Sequence, residues 1–381
     1  MVEQKKIRVL EIIQQGKIGG GESHLLTLIG QMDRERFEPV VVALSDGEMI
    51  GRLRAMGVRS YVVASRLPFN PTVWGPLRKL LREEAIDLVH THGARSLSNI
   101  LFPARRLSIP VVHTVHGWSF HDHLPGWKRR ARIAGERFLT GKAFVNIAVS
   151  ESNARIGREK LGVFNGVVIN NGVDLAQYSG RGGSGFRQEW AIPEDAVVIS
   201  WVARFIHDKN PLALIRAFAR LERQYPAARL VLVGDGPARE AAMALARELG
   251  VAEKVIFPGF RGDVPGILGE TDIFCLPSIK EGLPVSLIEA MAMGNAVVAT
   301  DVQGCHDVVT HGRDGLLAPL EDLENGLTTA IGELLGDAGR RAQLAAEARR
   351  TVERRFDARE MARAIERLYL QVLDQKNASI S

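Results

Sequence analysis

The stretch Pro277-Ser278-Ile279-Lys280-Glu281-Gly282-Leu283-Pro284-Val285-Ser286-Leu287-Ile288-Glu289-Ala290-Met291-Ala292-Met293-Gly294 decides how this chain is read. The run before it, Asp272–Leu276, has the composition of a buried strand, and the pattern from Val285 onward is helical. Pro284 suits the first helical position and Gly294 the residue just past the end. A strand that passes through a polar loop into a helix is the repeating unit of a parallel sheet covered by helices. Backbone N–H groups at Gly282, Leu283, Val285 and Ser286, together with the helix dipole, make an anion site suited to a diphosphate. Glu281 stands outside the helix and Glu289 inside it, eight residues on. Two carboxylates so placed can serve opposite ends of an extended ligand, each accepting hydrogen bonds from vicinal hydroxyls of a sugar or ribose. Singly, either would be an ordinary dipole-favoured or solvated glutamate.

Outward from this stretch the same alternation fills the chain. In the second half, strands are expected at Val197–Val202, Arg229–Val233, Val255–Phe257, Ile273–Leu276 and Ala296–Thr300. In the first half they are expected at Ile7–Ile13, Pro39–Leu44, Ser60–Ala64, Asp87–His92, Val111–Val115, Val145–Val149 and Val167–Asn170. Amphipathic stretches separate them, and runs apolar on both faces imply parallel sheets covered on both sides. The Gly/Ser-rich segment Ser179–Gly185 reads as a hinge. The expected organisation is an α/β chain of two Rossmann-like doubly wound domains, 1–176 and 177–356, facing across a cleft, with a last helix over 357–381. Ligands of such sheets bind at the carboxyl ends of the strands.

Five further features stand at or near those ends. Ala203-Arg204-Phe205-Ile206-His207-Asp208-Lys209-Asn210-Pro211 follows a strand, and Arg204 and Lys209 can neutralise a diphosphate leaving group as its charge builds. Gly16-Lys17-Ile18-Gly19-Gly20-Gly21-Glu22-Ser23 allows close backbone approach at a helix start but lacks the dinucleotide spacing. In Gly234-Asp235-Gly236-Pro237-Ala238-Arg239 an arginine replaces the third glycine, and no convincing ribose-binding acid stands at a following strand end, which disfavours a nicotinamide cofactor. His90, His92, His113, His116, His121 and His123 form a histidine-rich set; His90 and His92 share a strand face, and only Asp122 pairs with the set as an acid. Polar lining of a cleft is preferred to a metal site, and no Asp-x-Asp clamp for a metal diphosphate occurs anywhere. The segment Trp118 to Arg132 mixes Trp118 and Trp127 with Lys128, Arg129 and Arg130, a composition suited to an anionic membrane surface.

With 381 residues, 46% hydrophobic and 24% charged, the chain has material for two cores. No apolar run reaches transmembrane length, and Arg8 and Glu11 interrupt the N-terminal run that would otherwise imitate a signal peptide. Two cysteines make no disulfide framework, so a cytoplasmic location is expected. Residues 1–176 hold 25 Lys and Arg against 16 Asp and Glu, and the remainder 24 against 28, so the positive charge sits in the first half. That half suits a polyanionic partner, with peripheral contact at the inner face of the plasma membrane preferred and nucleic acid set aside.

Together these loops resemble the large retaining GT-B family, glycosyltransferase family 4 (glycosyl transferases group 1), over nearly the whole chain. The carriers are Gly19-Gly20-Gly21-Glu22, His113-Thr114-Val115-His116-Gly117, Val168-Ile169-Asn170-Asn171-Gly172-Val173-Asp174, Ala203-Arg204 with Lys209-Asn210, Leu232–Pro237, and Glu281 to Glu289 with its Gly282-Leu283-Pro284-Val285. The resemblance implies that Arg204 and Lys209 hold the donor diphosphate, Glu289 the ribose, and Glu281 with the backbone after it the donor sugar. It implies that Gly20 and Gly21 approach the phosphates, and that His116 sits beside the donor sugar. It implies no cofactor and no metal, and front-face transfer with retention from a UDP- or GDP-sugar. The acceptor expected is a lipid-linked saccharide or glycan hydroxyl, in lipopolysaccharide, capsule or exopolysaccharide synthesis. The last helix is expected to cross back onto the first domain. Asn295 and Gln303-Gly304-Cys305-His306-Asp307 depart from the family pattern. The rivals are a sugar-nucleotide epimerase of the same architecture, a histidine-metal hydrolase and a non-catalytic sugar-nucleotide binder.

Overall fold

In the computed structural model, which describes residues 5–120, 124–162, 164–179 and 185–378, the chain forms two parallel sheets. The first contains β1 (Ile7–Ile13), β2 (Phe37–Ala43), β3 (Arg59–Val62), β4 (Leu88–His92), β5 (Val111–Val115), β6 (Val145–Ala148) and β7 (Gly166–Val168), in the order 3-2-1-4-5-6-7. The second contains β8 (Val198–Val202), β9 (Arg229–Val233), β10 (Val255–Gly259), β11 (Ile273–Leu276), β12 (Ala296–Thr300) and β13 (Leu316–Ala318), in the order 10-9-8-11-12-13. Each order reverses beside its first strand, between β1 and β4 and between β8 and β11, which is where doubly wound sheets bind ligands.

Alternation along the strands feeds two faces. In the first sheet Leu10, Ile12, Val40 and Val42 pack with Leu97 and Ile100 on one side. Val9, Phe37, Leu88, Val112 and Ile147 pack on the other with Met361, Ile365 and Tyr369. Each such side chain contributes about 1.5–3 kcal/mol when fully buried. β2 begins at Phe37, two residues before the expected start, and accommodates Pro39 because β3 joins it only from Val40 onward. The short strand β13 and the helices Leu323–Gly336 and Ala338–Arg355 are absent from the sequence reading.

The chain divides into one unit of Met1–Gly172 with Ala358–Ser381 and another of Val173–Asp357. The helix Ala358–Ala378 therefore packs on the first sheet, as expected. The changeover falls ahead of the Gly/Ser-rich segment read as the hinge. Its position is set by Val173, which bridges to Asp357 and whose N–H donates to the Phe356 carbonyl at 2.9 Å.

Candidate active site

In the second unit the loops after four strands interlock. Gly234 and Gly236 adopt φ of +136° and +149°, and a Cβ on either would strike the backbone of Ala203 or Phe205. The Phe205 N–H donates to the Asp235 carbonyl at 2.9 Å. These glycines therefore let the loop after β9 pack against the loop that carries Arg204, and Arg204 itself is exposed. Lys209 ends a short 3-10 turn, and Asn210 follows in the left-handed region at φ +46° before the helix Pro211–Leu221. The Ile279 N–H donates to the Asp208 carbonyl at 2.9 Å, which ties this loop to the one after β11. Across that seam Lys209 Nζ lies 2.5 Å from Glu281 Oε1, a pair largely shielded from water. Lys209 and Glu281, 72 residues apart, are thus direct partners.

The helix after β11 runs Val285–Met293. Pro284 is its extended N-cap, one residue outside the position expected, and no side chain caps the end. The first intrahelical bond is Ile288 N–H to the Pro284 carbonyl, 3.3 Å. The preceding N–H groups at Val285, Ser286 and Leu287 therefore have no partner within their own helix and point out of its positive end. The buried side chains of Leu283 and Val285 hold the loop in place. Glu289 lies on the second turn, where burial pushes its carboxyl up to about 7 against the opposing hydrogen bond from Tyr178.

Two residues absent from the sequence reading of the site complete this wall. Gly304, in the turn Gln303–His306 after β12, backs so closely onto Glu281 and Gly282 that a Cβ would lie 2.6 Å from the Gly282 carbonyl oxygen. Beside it the thiol of Cys305 is buried, and burial first, then the charge of Glu281, raises its pKa. The signal was the run Gln303–Asp307, noted only as a departure. The other departure, Asn295, is fully buried, and its amide donates to the carbonyls of Leu268 and Thr271 at 3.0 and 2.7 Å. It braces the start of β12.

In the first unit the helix Gly20–Gln31 begins at the predicted glycines. Open space surrounds Gly20, and a Cβ on Gly21 would sit 3.5 Å from Cδ2 of His116. His90 and His92 do share a face, but the acid that pairs with them is Glu11 on β1, a correction to the sequence reading; Asp122, His121 and His123 lie outside the described residues. Glu11 Oε2 is 2.8 Å from His92 Nε2 and 3.1 Å from His90 Nδ1, and Tyr369 donates to Oε1 at 2.8 Å. Burial would raise the Glu11 pKa, yet its two histidine neighbours hold it well below the carboxylate range. Burial first, then His90, lowers His92 to about 4; burial likewise lowers His24 and His116. His113 points to the opposite face, with Nδ1 2.8 Å from Thr91 Oγ1, and is lowered to about 3. The nitrogens of His24, His92 and His116 come within 4.8 Å of one another, as do the ligand atoms of Glu11, His90 and His92. Glu11, His24 and Tyr369 were missed as site residues. The available signal was Glu11, a charge set among the buried apolar residues Val9, Leu10, Ile12 and Ile13 of β1.

The aromatic and basic segment divides. Trp118 is 4% exposed, packs with Phe120, Leu161 and Phe164, and donates its indole N–H to the Asn153 carbonyl at 2.9 Å. It is a core residue and is removed from the proposed surface. Trp127 is 70% exposed at the start of the helix Gly126–Thr140, with Lys128 Nζ 5.4 Å from its ring. Lys128 and Arg130 are exposed and Arg129 partly so. Phe138 and Phe102 are also exposed and line a shallow groove with Arg105, Arg106 and Lys142. Among the described residues no helix is long and apolar enough to cross a membrane.

Two doubly wound units, one bearing a cation-lined helix N-terminus with two carboxylates, define the architecture of a GT-B glycosyltransferase that uses a nucleotide sugar. The model of "Glycosyltransferase Family 4" matches residues 18–177 and that of "Glycosyl transferases group 1" residues 185–351. The chain is 31% identical to the D-inositol 3-phosphate glycosyltransferase of Kribbella flavida, over 69% of this chain and 68% of that protein. It is 28% identical to the UDP-Gal:alpha-D-GlcNAc-diphosphoundecaprenol alpha-1,3-galactosyltransferase of Escherichia coli, over 67% and 68%. In fold it matches HepE of Anabaena, solved with UDP-glucose, with a TM-score of 0.83 over 96% of this chain and 100% of that one at 23% identity. The chain belongs to glycosyltransferase family 4, with the group 1 module as its second unit, and is a glycosyltransferase.

Proposed function

We propose that the protein is a metal-independent, retaining hexosyltransferase that moves a sugar from a UDP- or GDP-sugar to a hydroxyl of a lipid-linked saccharide. The observation that carries this reading is the Lys209–Glu281 pair beside the N-terminus of the helix Val285–Met293. A donor diphosphate, with its greater negative charge, takes Lys209 and Arg204 and lies on the N–H groups at the helix end. Glu281 is then released to accept hydrogen bonds from the donor sugar, and Glu289 from the ribose. As the sugar–phosphate bond breaks, charge grows on the diphosphate where these cations stand, so they stabilise the transition state more than the bound donor. The leaving phosphate takes the acceptor proton on the face it departs from, a course that needs no protein nucleophile. The family resemblance adds Gly20, Gly21 and His116 as expected donor contacts. The galactosyltransferase relative named above acts on a diphosphoundecaprenol-linked sugar. That name, the exposed Trp127 with Lys128 and Arg130, and the Phe102–Phe138 groove between arginines support a lipid-linked acceptor reached by peripheral contact with an anionic membrane. Synthesis of lipopolysaccharide, capsule or exopolysaccharide is the setting that matches.

The test is thermal shift against a panel of nucleotide sugars, followed by transfer assays with the donor selected. A ligand that binds the native fold raises its melting temperature. A rise with one donor, lost in Arg204→Ala and Glu289→Ala, is expected. Folded protein that responds to no nucleotide sugar would defeat the reading. Consumption of the donor without any acceptor would point to an epimerase.

A further inference from the structure

We propose that Glu11 and His92 form a buried relay that fixes His116 as the tautomer protonated on Nε2, so that its Nδ1 is left as a hydrogen-bond acceptor for a substrate hydroxyl. Glu11 and His92 are then positioning residues acting through His116, and the last clause rests on the reading of His116 as a group beside the donor sugar.

The protons can be assigned one by one. A carboxylate only accepts, so the groups around Glu11 must donate to it. Tyr369 gives its O–H to Oε1 at 2.8 Å, and His92 gives Nε2–H to Oε2 at 2.8 Å. His90 Nδ1, 3.1 Å from Oε2 and 2.6 Å from the Tyr369 oxygen, is also a donor. Its other nitrogen lies 2.7 Å from Thr114 Oγ1, a hydroxyl that can serve it as donor or acceptor. With its proton on Nε2, neutral His92 has a bare lone pair on Nδ1. That atom is 3.1 Å from His116 Nε2, which must carry the proton between them. The opposite tautomer would set two lone pairs against each other in a buried site.

The ring geometry separates this arrangement from a metal site. The His92 and His116 rings are nearly coplanar, at 20°, with centroids 5.3 Å apart and facing nitrogens 3.1 Å apart. The rings therefore meet end-on, as donor and acceptor do. Two ligands of one ion would instead turn both lone pairs towards a third point about 2.0–2.1 Å from each. The scaffold also makes the relay stiff. Glu11 and His90 are register partners on β1 and β4, His92 pairs with Thr114 on β5, and Tyr369 clamps the carboxylate from the helix that crosses back. The acid and the first imidazole of the relay thus sit on rigid strands, and His116, in the bend just past β5, is aligned against them.

The experiment is long-range proton–nitrogen NMR on the full chain labelled with nitrogen-15 in histidine, with His116→Asn to identify the His116 signals. The expected wild-type pattern is a neutral ring protonated on Nε2. In His92→Phe the same signals should move to a mixture of tautomers, and kcat with the selected donor should fall at least tenfold while the donor KM stays within twofold. A wild-type His116 protonated on Nδ1, or an unchanged pattern in His92→Phe, overturns the relay. The wild-type measurement decides by itself if that variant does not fold. A released tautomer with unchanged kcat supports the relay and removes His116 from the reaction.

Discussion

Replacing Glu289 by glutamine should stabilise the protein at high pH while weakening the donor site. The unfolded chain releases this proton near 4.5, whereas the folded protein holds it to about 7. Stability is therefore fully present below about 4.5, is lost as pH rises through about 7, and stays reduced above it. A shift from 4.5 to about 7, at about 1.4 kcal/mol per pH unit, makes the cost on the order of 3 kcal/mol. The side chain keeps some exposure, which makes that figure an upper bound. Glu289→Gln keeps an acceptor for Tyr178 and removes the charge, so its melting temperature should exceed that of the wild type by several degrees at pH 8. The gap should close near pH 5. Scanning calorimetry on both proteins across pH 5 to 8 measures it directly. Donor binding should move the opposite way: ribose hydroxyls favour the ionised carboxylate, so wild-type affinity weakens as pH falls below about 7, and Glu289→Gln binds weakly throughout. A gap in melting temperature that is equal at pH 5 and pH 8, or a glutamine variant less stable at pH 8, would refute the reasoning.

Other outcomes follow from the same geometry. Arg204→Ala should leave the melting temperature of the free protein within about a degree, because an exposed side chain away from the core contributes little, yet lower donor affinity at least tenfold by titration calorimetry. Trp118→Ala should cost about 3–5 kcal/mol in denaturant unfolding, as a buried tryptophan does. Trp127→Ala should leave unfolding unchanged and reduce flotation with anionic liposomes; equal flotation of this variant and the wild type would remove Trp127 from the membrane face. Transfer should proceed at its full rate after dialysis against EDTA, and recovery of a lost rate by added divalent cation would restore the metal enzyme as the better reading.

The sequence by itself determined the class of this protein, because its information there is local. Strand, loop and helix alternate with a period legible in single residues, and the candidate anion site at the start of the helix Val285–Met293 is built from neighbours in the chain. So Glu281, Glu289, Arg204 and Lys209 could all be picked out. Tertiary structure decided what depends on juxtaposition. Trp118 and Trp127 look alike in sequence, but only packing against Phe120, Leu161 and Phe164 makes one of them core. Gly234 and Gly236 imitate a phosphate loop, yet they serve the close contact with Ala203 and Phe205. Lys209 finds Glu281 across 72 residues, and Glu11 finds Tyr369 across 358. Parallel sheets bring distant strand ends side by side through long crossovers, so pattern along the chain cannot announce which buried charges will meet there.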